Sequence, residues 1–392
     1  MKILFVTTDF YHNQNNNTHL IKKLLPYLVR RSHQVHILSS IPETVDTGTI
    51  PALADYTLHL SRDSAYSLYR NPLTRKLVTL HYARNLAKKA KALHREFGYD
   101  LILTTHYPNR GVSAVSLLPD SYPKMLYLMD PPEFLFQKVP NEFMKKKVFA
   151  QYLKKNHSIL TTPFIRRALT EKGLGKYDPK ITEIGFPILE RNPCAPVERD
   201  IVMSGDKINL LFCGTLHPDI RSPRYFLDLV SRLDERFCVY FVGQYCQHLH
   251  RNYPFQTKAQ VVTLANQPYQ VALNAMNNAD ILINIGNSVS VHIPSKTLEY
   301  INTGKPIVNL RKLPDCTTLH YTKRYPLCLD LPEYDPDLDG AAEKLVAFCL
   351  ENRGKAIDTS GISEIFPECT PEYIADVIIS KASAHGSPER EP

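Results

Sequence analysis

The tightest constraint on this fold lies between Asp280 and Leu310. The run Asp280-Ile-Leu-Ile-Asn-Ile-Gly286 is apolar, β-branched, short and bounded by turn residues, which predicts a buried strand. A small polar loop, Asn287 to His292, separates it from a helix whose first turn is Pro294-Ser295-Lys296. Pro is tolerated there because the first helical N–H groups have no intrahelical partner. Gly304 stops the helix, and Lys305-Pro306 leads into a second strand, Ile307-Val-Asn-Leu310. Strand, polar loop and helix N-terminus together make an anion site, since orphan N–H groups and the helix dipole point at the loop. Glu299, one turn further in, cannot bind phosphate but can accept hydrogen bonds from the paired hydroxyls of a ribose. An anion site beside a ribose acceptor points to a nucleotide diphosphate. An ordinary αβ unit with Glu299 on a solvated face fits the bare pattern equally well.

The rest of the chain repeats this alternation. Buried strands are expected at Lys2–Thr8, Gln34–Leu38, Asp100–Thr105, Met125–Met129, Ser158–Thr162 and Lys180–Pro187, then at Ile208–Leu216, Val239–Gly243 and Val261–Leu264. Helical material separates them, as a doubly wound parallel sheet requires. Thr18 is the expected N-cap of the first helix, and residues 43–72 read as irregular. With 392 residues there is length for two full cores. The proline- and charge-rich stretch around 193–206 reads as a linker between domains at 1–192 and 207–371. A last helix at about 372–382 is expected to pack back on the first domain, with 383–392 a disordered tail. No apolar run approaches a membrane span, and Met1–Asp9 is too short and too soon polar for a signal peptide. Eight cysteines lie scattered without CxxC spacing, so reduced core thiols in a cytosolic protein are expected. Cys246-x-His248-x-His250 lacks a second ligand pair at zinc-site spacing, and no metal is expected.

The run Pro-Ser-Lys-x-x-Glu-Tyr-x-x-x-Gly-Lys-Pro-Ile, with the preceding Ile-Asn-Ile-Gly-Asn287, resembles the donor-site signature of GT-B glycosyltransferases. The resemblance is to the retaining, family-4-like enzymes of bacterial surface-polysaccharide synthesis. It implies two Rossmann-like, doubly wound α/β domains facing a central cleft. Gly214-Thr-Leu216, with Arg221 five positions on, resembles the phosphate clamp of the same enzymes. Carried over, Arg221 and Lys296 are the catalytic pair, stabilising negative charge on the departing diphosphate. Gly214, Thr215, Arg224, Asn287, Ser295, Thr297 and Glu299 are donor-binding, and Gly243, Asn266 and Gln267 lie on the base side. His106 and Asp130 fall on the acceptor or sugar side, because polar residues at strand C-termini face the crevice, and the resemblance places Asn17, in the loop after the first strand, on the same side. Three departures stand out: asparagines replace glycines in the Asp9–Asn17 loop, Met129 replaces a histidine, and Val291 replaces a glutamate eight residues before Glu299. No catalytic carboxylate is therefore assigned.

Charge is uneven. Residues 1–200 hold 29 Lys and Arg against 17 Asp and Glu, whereas the remainder hold 18 against 22. A basic first half points to a partner that meets only that half, such as a lipid-diphosphate acceptor or the anionic inner face of a membrane. The helix carrying Arg75, Lys76, Arg84, Lys88, Lys89, Lys91 and Arg95 is basic and amphipathic, which fits membrane contact or a solvated face on a core helix. No nucleic-acid motif appears, and no GxGxxG follows any strand, which disfavours an NAD enzyme. The expected protein is a cytoplasmic transferase using a nucleotide-sugar donor, a glycan or lipid-linked acceptor, and no further cofactor. Two other classes stay open: a catalytically silent GT-B subunit scaffolding a partner, and a GT-B-fold sugar-nucleotide epimerase.

Overall fold

In the computed structural model the described residues are 1–8, 10, 16–31, 33–42, 56–63, 75–106, 109–130, 142–190, 194–217, 219–288 and 295–385. The loop through Asn15, Val291 and Pro294 thus lie outside them. The chain forms two compact units, Met1–Pro187 with Glu368–Pro392, and Ile188–Pro367.

The first unit holds strands β1 (Lys2–Thr8), β2 (Gln34–Pro42), β3 (Thr57–Asp63), β4 (Leu101–Thr105), β5 (Lys124–Leu128), β6 (Ser158–Thr161) and β7 (Ile181–Glu183). Its helices are α1 (Asn16–Arg30), α2 (Arg75–Phe97), α3 (Asn109–Ser116), α4 (Glu142–Lys155) and α5 (Pro163–Glu171). The strands form one parallel sheet in the order β3-β2-β1-β4-β5-β6-β7. Helices cover both faces, so the central strands are apolar throughout rather than alternating.

The second unit holds β8 (Ile208–Cys213), β9 (Phe237–Val242), β10 (Gln260–Leu264), β11 (Ile281–Ile285), β12 (Ile307–Arg311) and β13 (Cys328–Pro332). Its helices are α6 (Arg224–Val230), α7 (Leu249–Asn252), α8 (Tyr269–Asn278), α9 (Ser295–Asn302), α10 (Leu319–Thr322), α11 (Leu338–Asn352) and α12 (Thr359–Ile365). This sheet is also parallel, ordered β10-β9-β8-β11-β12-β13. Its order reverses between β8 and β11, the switch point where open α/β sheets bind ligands. The last helix, α13 (Pro371–His385), packs on α1, with Arg31 bonded to Asp376.

Several expectations need correction. Thr18 lies inside α1, two residues past its start, and not at the position before it. Within the stretch read as irregular, Thr57–Asp63 is a strand paired with β2, and β13 was likewise not expected. Both are edge strands and only half-buried, so neither shows the continuous apolar run of the centre. β7 is shorter than expected because the chain after Glu183 turns to pack on residues 368–369: Gly185 N donates to Glu368 O at 2.9 Å. Ser383 and His385 continue α13 instead of starting a tail. On α2 the apolar stripe of Ala83, Leu86, Ala87, Ala90 and Leu93 is consumed in the core, leaving Arg84, Lys88, Lys89 and Arg95 exposed. No helix among the described residues is long and apolar enough to cross a membrane. The eight cysteines are unpaired, six of them buried.

Candidate functional site

The candidate site is built at the β8/β11 switch point. Beyond Cys213 the chain enters a loop from Gly214 to Pro223, and this loop is fixed from three sides. On the β9 side, Gly214 N donates to Val242 O at 2.9 Å and Leu216 N to Gln244 O at 3.1 Å. Gly243 has φ +136°, and a Cβ there would stand 2.0 Å from Gly214 O, so only glycine lets the two backbones pass. Gly243 is thereby structural to the loop. From below, the buried Tyr300 of α9 accepts from Cys213 N at 2.8 Å and donates to Cys213 O at 3.1 Å. Burial pushes the phenol's pKa far up, so it stays a donor. Sequence reading missed Tyr300, because a tyrosine on the core face of an amphipathic helix carries no sign that it clamps a neighbouring strand.

The third side is β11. Ser288 N donates to Ile220 O at 2.9 Å and its hydroxyl to Asp219 O at 3.0 Å. Arg221 Nε donates to Asn287 Oδ1 at 3.0 Å, and Asn287 is buried. Gly214 lies beneath the guanidinium: a Cβ on it would meet one terminal nitrogen at 3.5 Å. Burial lowers the Arg221 pKa, with Tyr300 opposing the shift, yet a guanidinium stays charged in any protein setting. Among the described residues its terminal nitrogens make no hydrogen bond. Thr215 is half-buried in the same loop.

Helix α9 brings the other charged groups. Lys296 Nζ and Glu299 Oε2 are 2.5 Å apart, both side chains partly buried. Burial alone would lower the Lys296 pKa; the neighbouring Glu299 carboxylate outweighs it, and the net shift is upward. The ammonium therefore stays charged. Burial first, and then the Glu299 carboxylate, raise the pKa of Tyr300 and Tyr269, which places Arg221, Tyr300, Glu299, Lys296 and Tyr269 in one electrostatic neighbourhood. Ser295 is half-buried at the helix start. Thr297 is a correction: it is fully buried, and its hydroxyl donates inward to Asn284 Oδ1 at 3.2 Å rather than facing a donor.

Arg224 is exposed, with its guanidinium 5.9 Å from the ring of Tyr253. Asn266 is exposed and Gln267 bonds its own loop carbonyl, Ala265 O, at 3.0 Å. Asn17 lies in the first turn of α1 and Asp130 just past β5, both in the first unit. His106, at the end of β4, is a second correction: it is fully buried, edge-on to Phe149 at 5.8 Å, and not open to substrate. Neither ring nitrogen has a hydrogen-bond partner among the described residues, and burial drives its pKa down to about 3.

No described protein family matches the sequence, and neither does any curated relative. Solved structures do match across nearly the whole chain. Sucrose-phosphate synthase from Thermosynechococcus elongatus superposes with a TM-score of 0.67 at 14% identity, covering 98% of each chain. The lipopolysaccharide outer core galactosyltransferase WaaB, in its apo form, gives 0.61 at 13% identity over 97% of this chain and 100% of its own. HepE of Anabaena, solved in complex with UDP and glucose, gives 0.61 at 12% identity over 98% and 100%. At such identities the likeness speaks for the fold, and that fold is GT-B, two Rossmann-like domains each on its own parallel sheet.

Proposed function

We propose that this protein is a glycosyltransferase that moves a sugar from a nucleotide-diphosphate sugar to a glycan or lipid-linked glycan acceptor. The carrying observation is the Arg221–Asn287 pair beside Lys296 and Glu299 at the β8/β11 switch point. Arg221 is held by one nitrogen and presents the others, a fork suited to phosphate. As the glycosidic bond breaks, negative charge grows on the departing diphosphate. A preoriented guanidinium and ammonium then bind the transition state more tightly than the ground state, which is catalysis without either group reacting. These two cations and the start of α9 meet the diphosphate charge, so the reaction runs without metal. Glu299 leaves its pairing with Lys296 to accept the ribose hydroxyls. Retention of configuration and a role in surface polysaccharide follow from the sequence resemblance. Membrane contact, where it occurs, is electrostatic, through Arg84, Lys88, Lys89 and Arg95.

The test is calorimetric titration with UDP, GDP, dTDP, ADP and CMP, on the wild type and Glu299→Ala. One tight binder, weakened in the variant, supports the donor site and names the base. Binding of none would replace this reading with that of a silent subunit. Incubating the sugar nucleotide that binds and identifying its products separates transfer or hydrolysis from epimerisation.

A further inference from the structure

The loop that carries Arg221 has a second side. Where Arg221 turns toward Asn287, the residues Leu216 and His217 of the same loop face a cavity of about 330 Å³. Its remaining walls are Tyr245, Leu249, Asn252 and Tyr253, from the segment after β9. Leu216 and Leu249 are buried, whereas His217, Tyr245 and Asn252 are exposed at the mouth. That volume is at the lower end of small-molecule sites, roughly 300–1,000 Å³, so it holds a single ring and not a chain.

Tyr245 is held there at a cost. Its backbone is left-handed, φ +69° and ψ −5°, and it is the one non-glycine residue with positive φ among those described. A bulky aromatic in that region is strained, and such strain persists where the surrounding structure and a function maintain it. The site is otherwise firmly built. Leu216 N is bonded to Gln244 O at 3.1 Å, and Cys246 N to Gly243 O at 3.2 Å. Arg224 lies over Tyr253 at 5.9 Å and braces that ring from the α6 side.

We infer that this cavity is a saccharide subsite, taking one hexopyranose ring of the glycan against the faces of Tyr245 and Tyr253. A sugar presents apolar C–H groups on its ring face and hydroxyls at its edge. Two amphipathic tyrosines supply the first surface, and Asn252 with His217 the second. No carboxylate lines the cavity, as an ammonium ligand would require. A nucleobase is tied to its ribose, which the reading above gives to Glu299 on α9, and Glu299 does not line the cavity. The ligand class rests on that glycosyltransferase reading; the cavity and the strained tyrosine do not.

Saturation-transfer NMR with methyl glucoside, methyl galactoside, methyl mannoside and N-acetylglucosamine tests the subsite, with and without UDP. The expected result is transfer to at least one sugar, reduced at least tenfold in Tyr245→Gly, whose Tm is unchanged or higher because the strain is relieved. Tyr253→Ala should lose the signal as well. Absence of transfer to all four sugars, or a signal undiminished in both variants, overturns the inference. Sugar binding without any nucleotide binding would leave the subsite standing and remove the transferase reading. Nucleotide binding without sugar contact would do the reverse.

Discussion

At the scale of single residues, two titratable groups, one half-buried and one fully buried, give the stability of this protein opposite pH slopes. Glu333, just past β13, has Oε1 buried with no hydrogen-bond partner among the described residues. Burial, opposed by Lys312, pushes its pKa up to about 7 from 4.5. The folded state thus holds a proton that the unfolded state releases, and stability falls as pH rises from 4.5 to 7. His106 works the other way. Its folded pKa is about 3 against 6.5, so the unfolded state binds the extra proton and stability falls as pH drops from 6.5 toward 3. Glu333→Gln should therefore gain about 1–3 kcal/mol at pH 8 and nothing below pH 4.5. His106→Phe should flatten the acid side of the curve. Thermal melts from pH 3 to 8 check both, and unchanged slopes would show that these groups do not set the profile. Arg221 belongs to this scale too. Arg221→Ala should weaken nucleotide-diphosphate binding by about 1.5–3 kcal/mol, as for a charge-assisted hydrogen bond, and calorimetry reads it directly.

At the scale of elements, a polar rung fixes α9 to the sheet. Asn284, Asn309 and Asp330 face one another in register on β11, β12 and β13. Thr297 donates to Asn284, Asn284 Nδ2 to Asn309 Oδ1 at 2.7 Å, and Asn309 Nδ2 to Asp330 Oδ1 at 2.6 Å. Arg311 Nε closes the chain on Asp330 at 2.8 Å. Every donor points toward the one carboxylate, which polarises the series. Thr297→Val keeps the shape and cuts the rung at its helix end. It should lower stability by about 1–2 kcal/mol and shift Lys296 and Glu299 enough to weaken nucleotide binding severalfold, while Thr297→Ser restores both. A melt and a titration on the same samples decide this; a lower Tm with unchanged affinity would confine the rung to stability. This rung also shows where legibility ends. The central strands were readable because burial on both faces demands unbroken apolar runs. β3 and β13 were not, because these edge strands are only half-buried and lack that unbroken run. Thr297 read as a ligand contact by its place in a motif, and only the register of three strands reveals an inward partner.

At the scale of the whole molecule, the chain returns to its first unit at the end. Gly185 passes so close to Cys369 that a Cβ would stand 2.3 Å from its sulfur. Ile374, Ala375, Ile378 and Ala382 of α13 are buried, and Arg31 on the first unit's surface pairs with Asp376. Ending the chain at Pro367 removes two buried isoleucines and their neighbours, and should destabilise the first unit by more than about 4 kcal/mol. The second unit, whose core lies within Ile208–Cys349, should stay folded. Limited proteolysis of the truncated chain would show selective loss of fragments before Pro187, and equal resistance of both units would refute it. By itself the sequence determined the alternation of strand and helix, the parallel class of the sheets and the motif around Lys296 and Glu299. Each of these is a local consequence of burial periodicity, turn chemistry or spacing. Tertiary structure alone decided that Tyr300 clamps Cys213, that Thr297 faces inward and that His106 is sealed in the core. It also brought Arg221 to Asn287, 66 residues apart in sequence. Those outcomes depend on which strands lie side by side, and no local pattern encodes that choice.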